Sequence, residues 1–388
     1  MIKPNPFTPR SGEEPRVFLN RNDETDFFKK RLNECKKGRF NHYVINGEWG
    51  IGKTALLKYF KLIAQQENCL CAYFVAEQFE RETSDILLSV HILQSIVKFL
   101  PIKPVKKDSF LKTIKGFGIQ VFGSGFNLTL EVDKNKIVDS QILLQDGLRG
   151  IWDDVKEKTE LIVILIDDVQ NFKEVSRIFT TLKNVLSSDD ILNETRFLFV
   201  LSSTIDGWEQ FIVKNHPVGR YFIPRRELNY FNKDNAEKLI YEILDGTGVR
   251  FSEEVIDLIF SYTNGHLFEI HALCSALYDS SIKGKVDKKE WEVGFEQGLL
   301  YLGNAVFENI LLEVSEKEKE TMLSLSFFDN PVVQNEISNK SKQLGLHIID
   351  INKHLRRLTE KRIIENPQRG IYFIKDRLFR EYIKIFRK

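Results

Sequence analysis

The chain has 388 residues, enough for two or three domains with buried cores. Hydrophobic residues make up 42% of it and charged residues 29%, which excludes a wholly disordered protein. With 56 Lys and Arg against 55 Asp and Glu the net charge is +1, so there is no bulk attraction to nucleic acid or an acidic membrane, and any basic surface must be local. The longest apolar runs, Leu161 to Ile166 and Phe197 to Leu201, fall far short of the roughly 20 residues of a bilayer span, and the N-terminus has no apolar signal segment. No membrane partner and a cytoplasmic location are expected. Cys35, Cys69, Cys71 and Cys274 have neither CxxC spacing nor a nearby His pair, so they read as buried thiols.

A polar, Pro-containing lead-in precedes a helix expected over Asp23 to Lys37, with Phe27, Phe28, Leu32 and Cys35 at helical spacing. Short apolar runs follow at His42 to Asn46, Cys69 to Val75, Leu161 to Ile166, Phe197 to Ser202 and Tyr221 to Ile223, separated mostly by helical patterns. Continuous apolar strands alternating with helices predict an α/β fold whose parallel sheet is buried on both faces. Between the second and third runs, residues Pro101 to Val132 open with Lys103, Lys106, Lys107, Lys112 and Lys115. They continue as alternating residues on either side of Gly123-Ser124-Gly125, which predicts a β-hairpin insert.

From about Asn232 the strands are expected to stop, and helices are predicted over Ala236 to Leu244, Ser252 to Thr263 and Leu267 to Tyr278, with Ser252 as an N-cap. From about Ser315, helices are predicted at Glu316 to Leu325, Val332 to Lys340 and Ile348 to Lys361. Two extended pieces, Ile363 to Glu365 and Ile371 to Ile374, follow around Asn366-Pro367-Gln368-Arg369-Gly370. Three helices and a β-wing form the pattern of a winged helix. The expected domains are therefore 1–231, 232–314 and 315–388.

Directly after the first apolar run comes Gly47-Glu48-Trp49-Gly50-Ile51-Gly52-Lys53-Thr54, and a helical pattern continues from Ala55. This fits the P-loop spacing GxxxxGK[ST] in its strand-loop-helix context. Glycines let backbone N–H groups turn inward around phosphate oxygens, and the helix points its positive end at them. Lys53 is expected on the β- and γ-phosphates of ATP or ADP and Thr54 on Mg²⁺. The run Leu161 to Ile166 ends in Asp167 and Asp168; the first is placed to hold the Mg²⁺ water shell and the second to polarise an attacking water. Two acids favour hydrolysis over kinase chemistry, and Asp at the second position, one methylene shorter than Glu, predicts slow turnover. After Phe197 to Leu201, one of Ser202, Ser203 and Thr204 is expected to sense the γ-phosphate or orient the water, with Ser202 the leading candidate; a plain strand-end turn is the alternative.

Together these motifs resemble the AAA+/STAND class of P-loop ATPases, specifically the prokaryotic and archaeal ATPases related to origin-recognition initiators, over nearly the whole chain. Phe18-Leu19-Asn20-Arg21-Asn22-Asp23-Glu24 resembles the family's N-terminal box, so Arg21, with Pro15 and Val17 before it, is implied to flank the adenine. His216-Pro217-Val218-Gly219-Arg220-Tyr221-Phe222 resembles the box ending in Ser-Arg-Phe, with Gly219 in place of the usual Ser. Arg220 is thereby an implied arginine finger acting on a neighbouring subunit, and a homo-oligomer in the ATP state follows. Thr263-Asn264-Gly265-His266-Leu267-Phe268 resembles the turn into the lid helix. Leu267 replaces the usual Pro, and Phe268 stands where initiator-type members carry the sensor-2 arginine. His266 is either a γ-phosphate contact, as in STAND proteins, or a cap. Absence of sensor 2 fits a switch better than a vigorous motor. Tyr372-Phe373-Ile374-Lys375-Asp376-Arg377-Leu378-Phe379-Arg380-Glu381-Tyr382 matches the family's ending, and its aromatics are expected in the core.

From Ile348 to the end there are 12 Lys and Arg against five Asp and Glu, a local excess of +7. Lys353, Arg357 and Lys361 are spaced to share a face of the predicted recognition helix, with Arg356 beside them, as phosphate or base contacts require. Two functional readings follow. One is a nucleotide-driven switch acting on duplex DNA, of the initiator, loader or mobile-element regulator kind. The other is a STAND-type signalling or defence ATPase whose winged helix contacts protein and whose effector is a separate chain; a non-hydrolysing ATP-binding scaffold is a third.

Overall fold

The computed structural model describes residues 4–9, 17–77, 85–99, 109–122, 129–131, 139–172, 178–214 and 218–387. Pro15, the Lys103, Lys106 and Lys107 group, the Gly123 to Gly125 turn, Val132 and the pair His216 and Pro217 lie outside them. The chain divides into two compact units, one of Phe18–Asn229 and one of Met1–Val17 with Tyr230–Lys388.

The first unit runs α1 (Asn22–Lys36), β1 (Tyr43–Asn46), α2 (Lys53–Gln66), β2 (Leu70–Val75), α3 (Asp85–Phe99), α4 (Ser109–Gly116), β3 (Gln120–Phe122), β4 (Thr129–Glu131), α5 (Ser140–Val155) and β5 (Ile162–Asp167). A 3₁₀ turn (Val169–Phe172) leads on to α6 (Ile178–Leu186), α7 (Asp189–Glu194), β6 (Phe197–Ser203), α8 (Ile205–Lys214), α9 (Val218–Tyr221) and β7 (Arg225–Glu227). Five parallel strands form one sheet in the order β2-β5-β6-β1-β7. Every residue of β1, β5 and β6 is buried, as a sheet covered on both faces requires. Packing supplies the driving force: Phe28 lies flat on Phe60 with ring centroids 4.1 Å apart, seating α1 on α2. Strands β3 and β4 pair antiparallel, Gln120 opposite Glu131, so the insert carries a two-stranded ribbon.

The fifth strand differs from expectation. Tyr221 ends α9 instead of opening a strand, and β7 begins four residues later as the charged segment Arg225-Arg226-Glu227. Tyr221 and Phe222 turn inward against His42, at 5.5 and 6.0 Å between ring centroids. Their apolarity reflects that packing, while an edge strand tolerates charges because one side of it faces solvent.

In the second unit, α10 (Lys233–Leu244), β8 (Arg250–Phe251), α11 (Glu253–Thr263), α12 (Leu267–Asp279), β9 (Lys285–Val286) and α13 (Lys288–Leu302) lead through a π turn (Gly303–Phe307) into α14 (Glu308–Leu312). Ser252 caps α11, accepting from the Val255 N–H. Strands do not stop at Asn232: β8 and β9 pair in parallel and bury Phe251 and Val286, too short a pair to leave an alternating pattern. The unit continues with α15 (Glu316–Ser326), β10 (Val332–Val333), α16 (Gln334–Gln343), α17 (Ile351–Glu360), β11 (Glu365–Gln368), β12 (Ile371–Phe373) and α18 (Arg377–Phe386). Helix α17 starts at Ile351, not Ile348, because Asp350 takes a left-handed φ of 54° and its carboxylate accepts from the Lys353 N–H. Val332 and Val333, expected as helix, pair with β12 in the sheet β10-β12-β11.

The division expected at 314/315 does not separate compact units. Phe307 packs on Phe379 and Tyr382 of α18, and Glu308 accepts from the Tyr382 hydroxyl and pairs with Arg387. Phe379 and Tyr382 are buried, as their spacing predicted.

Burial lowers the His42 pKa to about 3, and its Nδ1 accepts from the Phe199 N–H at 3.0 Å. A depressed histidine favours the neutral form in the folded chain. Its contribution is complete above the unfolded pKa near 6.5 and is lost as pH falls toward 3. Urea unfolding should therefore show the first unit losing about 2 kcal/mol between pH 7 and pH 5 through this residue, a slope that His42→Gln should largely remove. An identical pH slope in the variant would contradict the assignment.

Candidate nucleotide-binding site

A parallel sheet presents the carboxyl ends of its strands along one edge, where the following loops and helix N-termini converge. Here β6 lies between β1 and β5, so Asn46, Ser203 and Asp167 reach that edge from three adjacent strands.

Between β1 and α2, Gly50 and Gly52 take φ of 78° and 96°, a conformation that costs other residues about 1–2 kcal/mol. Gly52 is the N-cap of α2, so the loop turns directly into a helix whose free N–H groups favour an anion. Ile51 is buried, Glu48 and Trp49 are exposed, and Thr54 and Ala55 are half-buried in the first turn of α2. Buried Lys53 directs Nζ into the loop, donating to the carbonyls of Gly47 at 3.1 Å and Glu48 at 2.8 Å. Burial lowers its pKa, while Asp168, Asp167 and Glu48 act in the opposite direction.

Asp167, at the end of β5, is 1% exposed. The Tyr73 hydroxyl of β2 donates to its Oδ2 at 3.1 Å, and the Ser202 hydroxyl of β6 donates to its Oδ1. The same Ser202 oxygen accepts from the Asp168 N–H at 3.0 Å. Burial and then Asp167 push the Asp168 carboxyl above the ordinary aspartate range, opposed by a hydrogen bond from Gln170 and by Lys53. Of the three hydroxyls, Ser202 thus joins the two acids. Thr204 accepts from the Gly207 N–H at 3.1 Å at the start of α8, and the buried Ser203 hydroxyl has no partner among the described residues.

Thr54 and Asp167 offer hard oxygen donors, the type Mg²⁺ prefers, and an ionised carboxylate retains acceptor capacity beyond its two hydroxyl partners. Among the described residues, no three His, Cys, Asp or Glu side chains gather to hold a metal ion. That donor set fits a cation that keeps waters and shares nucleotide phosphates.

The other expected residues fall as follows. Arg21, buried at the N-cap of α1, donates to the carbonyls of Ile51 at 3.1 Å and Asn229 at 3.2 Å, which makes it a brace of the phosphate loop. Arg220 is exposed in the last turn of α9 and has no hydrogen bond or ion pair among the described residues. Val17 and His266 belong to the second unit, where His266 meets Tyr230 edge-on and lies 3.4 Å from Glu269. Lys353, Arg356 and Arg357 are exposed on α17. Lys361 departs from expectation: it lies past the helix end, and its Nζ is taken up by the Glu313 carbonyl at 2.7 Å and the buried Glu318 carboxylate at 3.1 Å. It joins the Ser315 N–H in satisfying the buried Glu318 carboxylate, which draws it away from the helix face. Tyr73 and Gln170 were not anticipated. A tyrosine inside a buried strand signals a hydroxyl in need of a partner, whereas nothing in the pattern singles out Gln170.

A family described as an ATPase domain predominantly from Archaea matches residues 18–273. No curated protein matches. Among solved structures, a Walker-type ATPase of Pyrococcus abyssi is similar at a TM-score of 0.61 and 13% identity, covering 98% of this chain and 100% of its own. The ORC2 protein of Aeropyrum pernix, in ADPNP–ADP complexes, is similar at 0.63 and 13%, covering 97% and 95%. At these identities the likeness is one of fold, and the fold is that of the P-loop ATPases expected from the sequence.

The hydroxyl assignments make a differential prediction. Ser202→Ala removes a donor to a buried carboxylate and an acceptor for a backbone N–H, so urea denaturation should show a loss of about 1–3 kcal/mol. Ser203→Ala, which deletes an unpartnered hydroxyl, should be close to neutral. Equal losses would contradict the network.

Proposed function

The chain belongs to the family of ATPase domains found predominantly in Archaea, and we propose that it is a Mg²⁺-dependent ATP-binding and slowly hydrolysing switch that assembles in its ATP state and acts on duplex DNA. The observation that carries the ATPase part is the convergence of Lys53, in a glycine-turned loop at a helix N-terminus, with the carboxylates of Asp167 and Asp168. Lys53 would hold the β- and γ-phosphates, Thr54 and Asp167 the cation with its water shell, and Asp168 the attacking water; the cation would neutralise charge on the phosphates. Slow turnover is supported by the Asp168 carboxyl, which reaches one methylene less far than Glu and is raised above its ordinary range by burial and Asp167. Exposed Arg220 supports a finger acting on a second copy.

The DNA part rests on the second unit. Helices α15, α16 and α17 followed by paired β11 and β12 support a winged helix. Lys353, Arg356 and Arg357 on α17, with exposed Arg369 between the strands, would form its basic face. A specific observation favours the protein-contact reading as the second possibility. Much of the +7 excess is consumed internally: Arg377 donates to the Ser261 carbonyl, and Arg380 and Arg387 pair with Asp329 and Glu308.

Asp168→Asn should retain ATP affinity while phosphate release falls by at least about 100-fold, the scale of a lost general base. Arg220→Ala should bind ATP but lose the rise of specific activity with protein concentration; full activity in that variant would exclude action in trans. For DNA, removing Lys353 and Arg357 together should flatten the log-log salt dependence of duplex binding by up to about two units, measured by fluorescence anisotropy. Duplex binding that salt does not weaken would favour the protein-contact reading.

A further inference from the structure

Two residues past Asp168, the 3₁₀ turn Val169–Phe172 carries Gln170 into a gap between the acids and the start of α8. Its Nε2 donates to Asp168 Oδ1 at 3.0 Å, and its Oε1 accepts from the Thr204 N–H at 3.3 Å. A carboxylate on one side and a backbone donor on the other allow only one orientation of the amide. Gly207 makes the room: a Cβ there would stand 2.5 Å from Gln170 Cβ and 2.6 Å from Thr204 Oγ1. The amide is therefore held at both ends, with its stem against Gly207, and one carboxylate oxygen of Asp168 is occupied.

We infer that Gln170 is a positioning residue for ATP hydrolysis, fixing the Asp168 carboxylate and tying it to the end of β6. The inference rests on the hydrolysis proposed above. It also joins two elements a γ-phosphate would contact: Ser202 links the Asp168 backbone to β6, and Gln170 links its side chain to Thr204, so Asp168 is fixed to the β6 end at both points. The charged and titratable groups around Asp168 are Asp167 on β5, Lys53 on α2 and Tyr73 on β2. Asp167 and burial disfavour ionisation of Asp168, whereas Lys53 and the Gln170 amide favour it.

The test is ATP hydrolysis by the full chain, with kcat and KM for ATP followed separately and urea unfolding measured beside them. Gln170→Leu should lower kcat about tenfold with KM and unfolding nearly unchanged. Gln170→Glu keeps the acceptor for the Thr204 N–H but has no donor for Asp168, so it should not restore kcat. Gly207→Ala, which displaces the amide without changing its chemistry, should lower kcat in the same direction. A merely structural role predicts the opposite pattern: rescue by Glu, and losses that follow stability with no split between kcat and KM, which would overturn the inference. The NMR signals of the Gln170 side-chain amide, assigned by their loss in Gln170→Leu, read the same bond without turnover. If the wild type fails to hydrolyse ATP, the hydrolysis reading falls. The amide signals then still decide whether Gln170 holds Asp168: signals unmoved in Asp168→Ala refute it.

Discussion

A carboxylate buried at the end of a buried strand must be held by donors, or it neutralises or moves out. Asp167 meets that constraint with hydroxyls from the strands on both sides, Tyr73 from β2 and Ser202 from β6. The consequence reaches beyond one side chain. Those two bonds fix the carboxyl ends of three neighbouring strands at the place where the phosphate loop arrives from β1. Because Ser202 also accepts from the Asp168 N–H, the second acid inherits its backbone position from the first.

The phosphate loop is restrained from the other direction. Left-handed glycines shape it, and Arg21 anchors it through the Ile51 carbonyl. The same guanidinium holds the carbonyl of Asn229, the last residue of the first unit. A shift of Ile51 would thus be felt by one side chain that also holds Asn229 within the same unit. In the second unit, the helices after residue 230 and the C-terminal elements are packed into one body through Phe307, Glu308 and α18.

Much of this was legible in the sequence because the features that carry it are repetitive or chemically unusual. Runs such as Leu161 to Ile166 can hardly be anything but buried strands, and a Gly-rich loop with Lys53 and Thr54 between strand and helix has few other uses. What escaped depends on pairing, which composition does not show. Charged β7 is a strand only because β1 needs a neighbour on that edge. The +7 excess near the C-terminus is partly consumed by pairs that composition does not show, Lys361 with Glu318 and Arg380 with Asp329. The bonds of Arg21 to two backbone carbonyls carry no sequence signal, and Gln170 carries no pattern at all, since its importance lies in what its two amide ends touch.

The central claim is that residues 47–54 form a phosphate cradle whose charge comes from Lys53. Isothermal titration calorimetry of MgATP against the wild type and Lys53→Ala tests it most directly. The account predicts saturable one-site binding by the wild type and a loss of at least about 10- to 100-fold in the variant, the scale of a charge-assisted hydrogen bond to phosphate. Equal affinity in the two proteins, or no binding of ATP by the wild type, would contradict it.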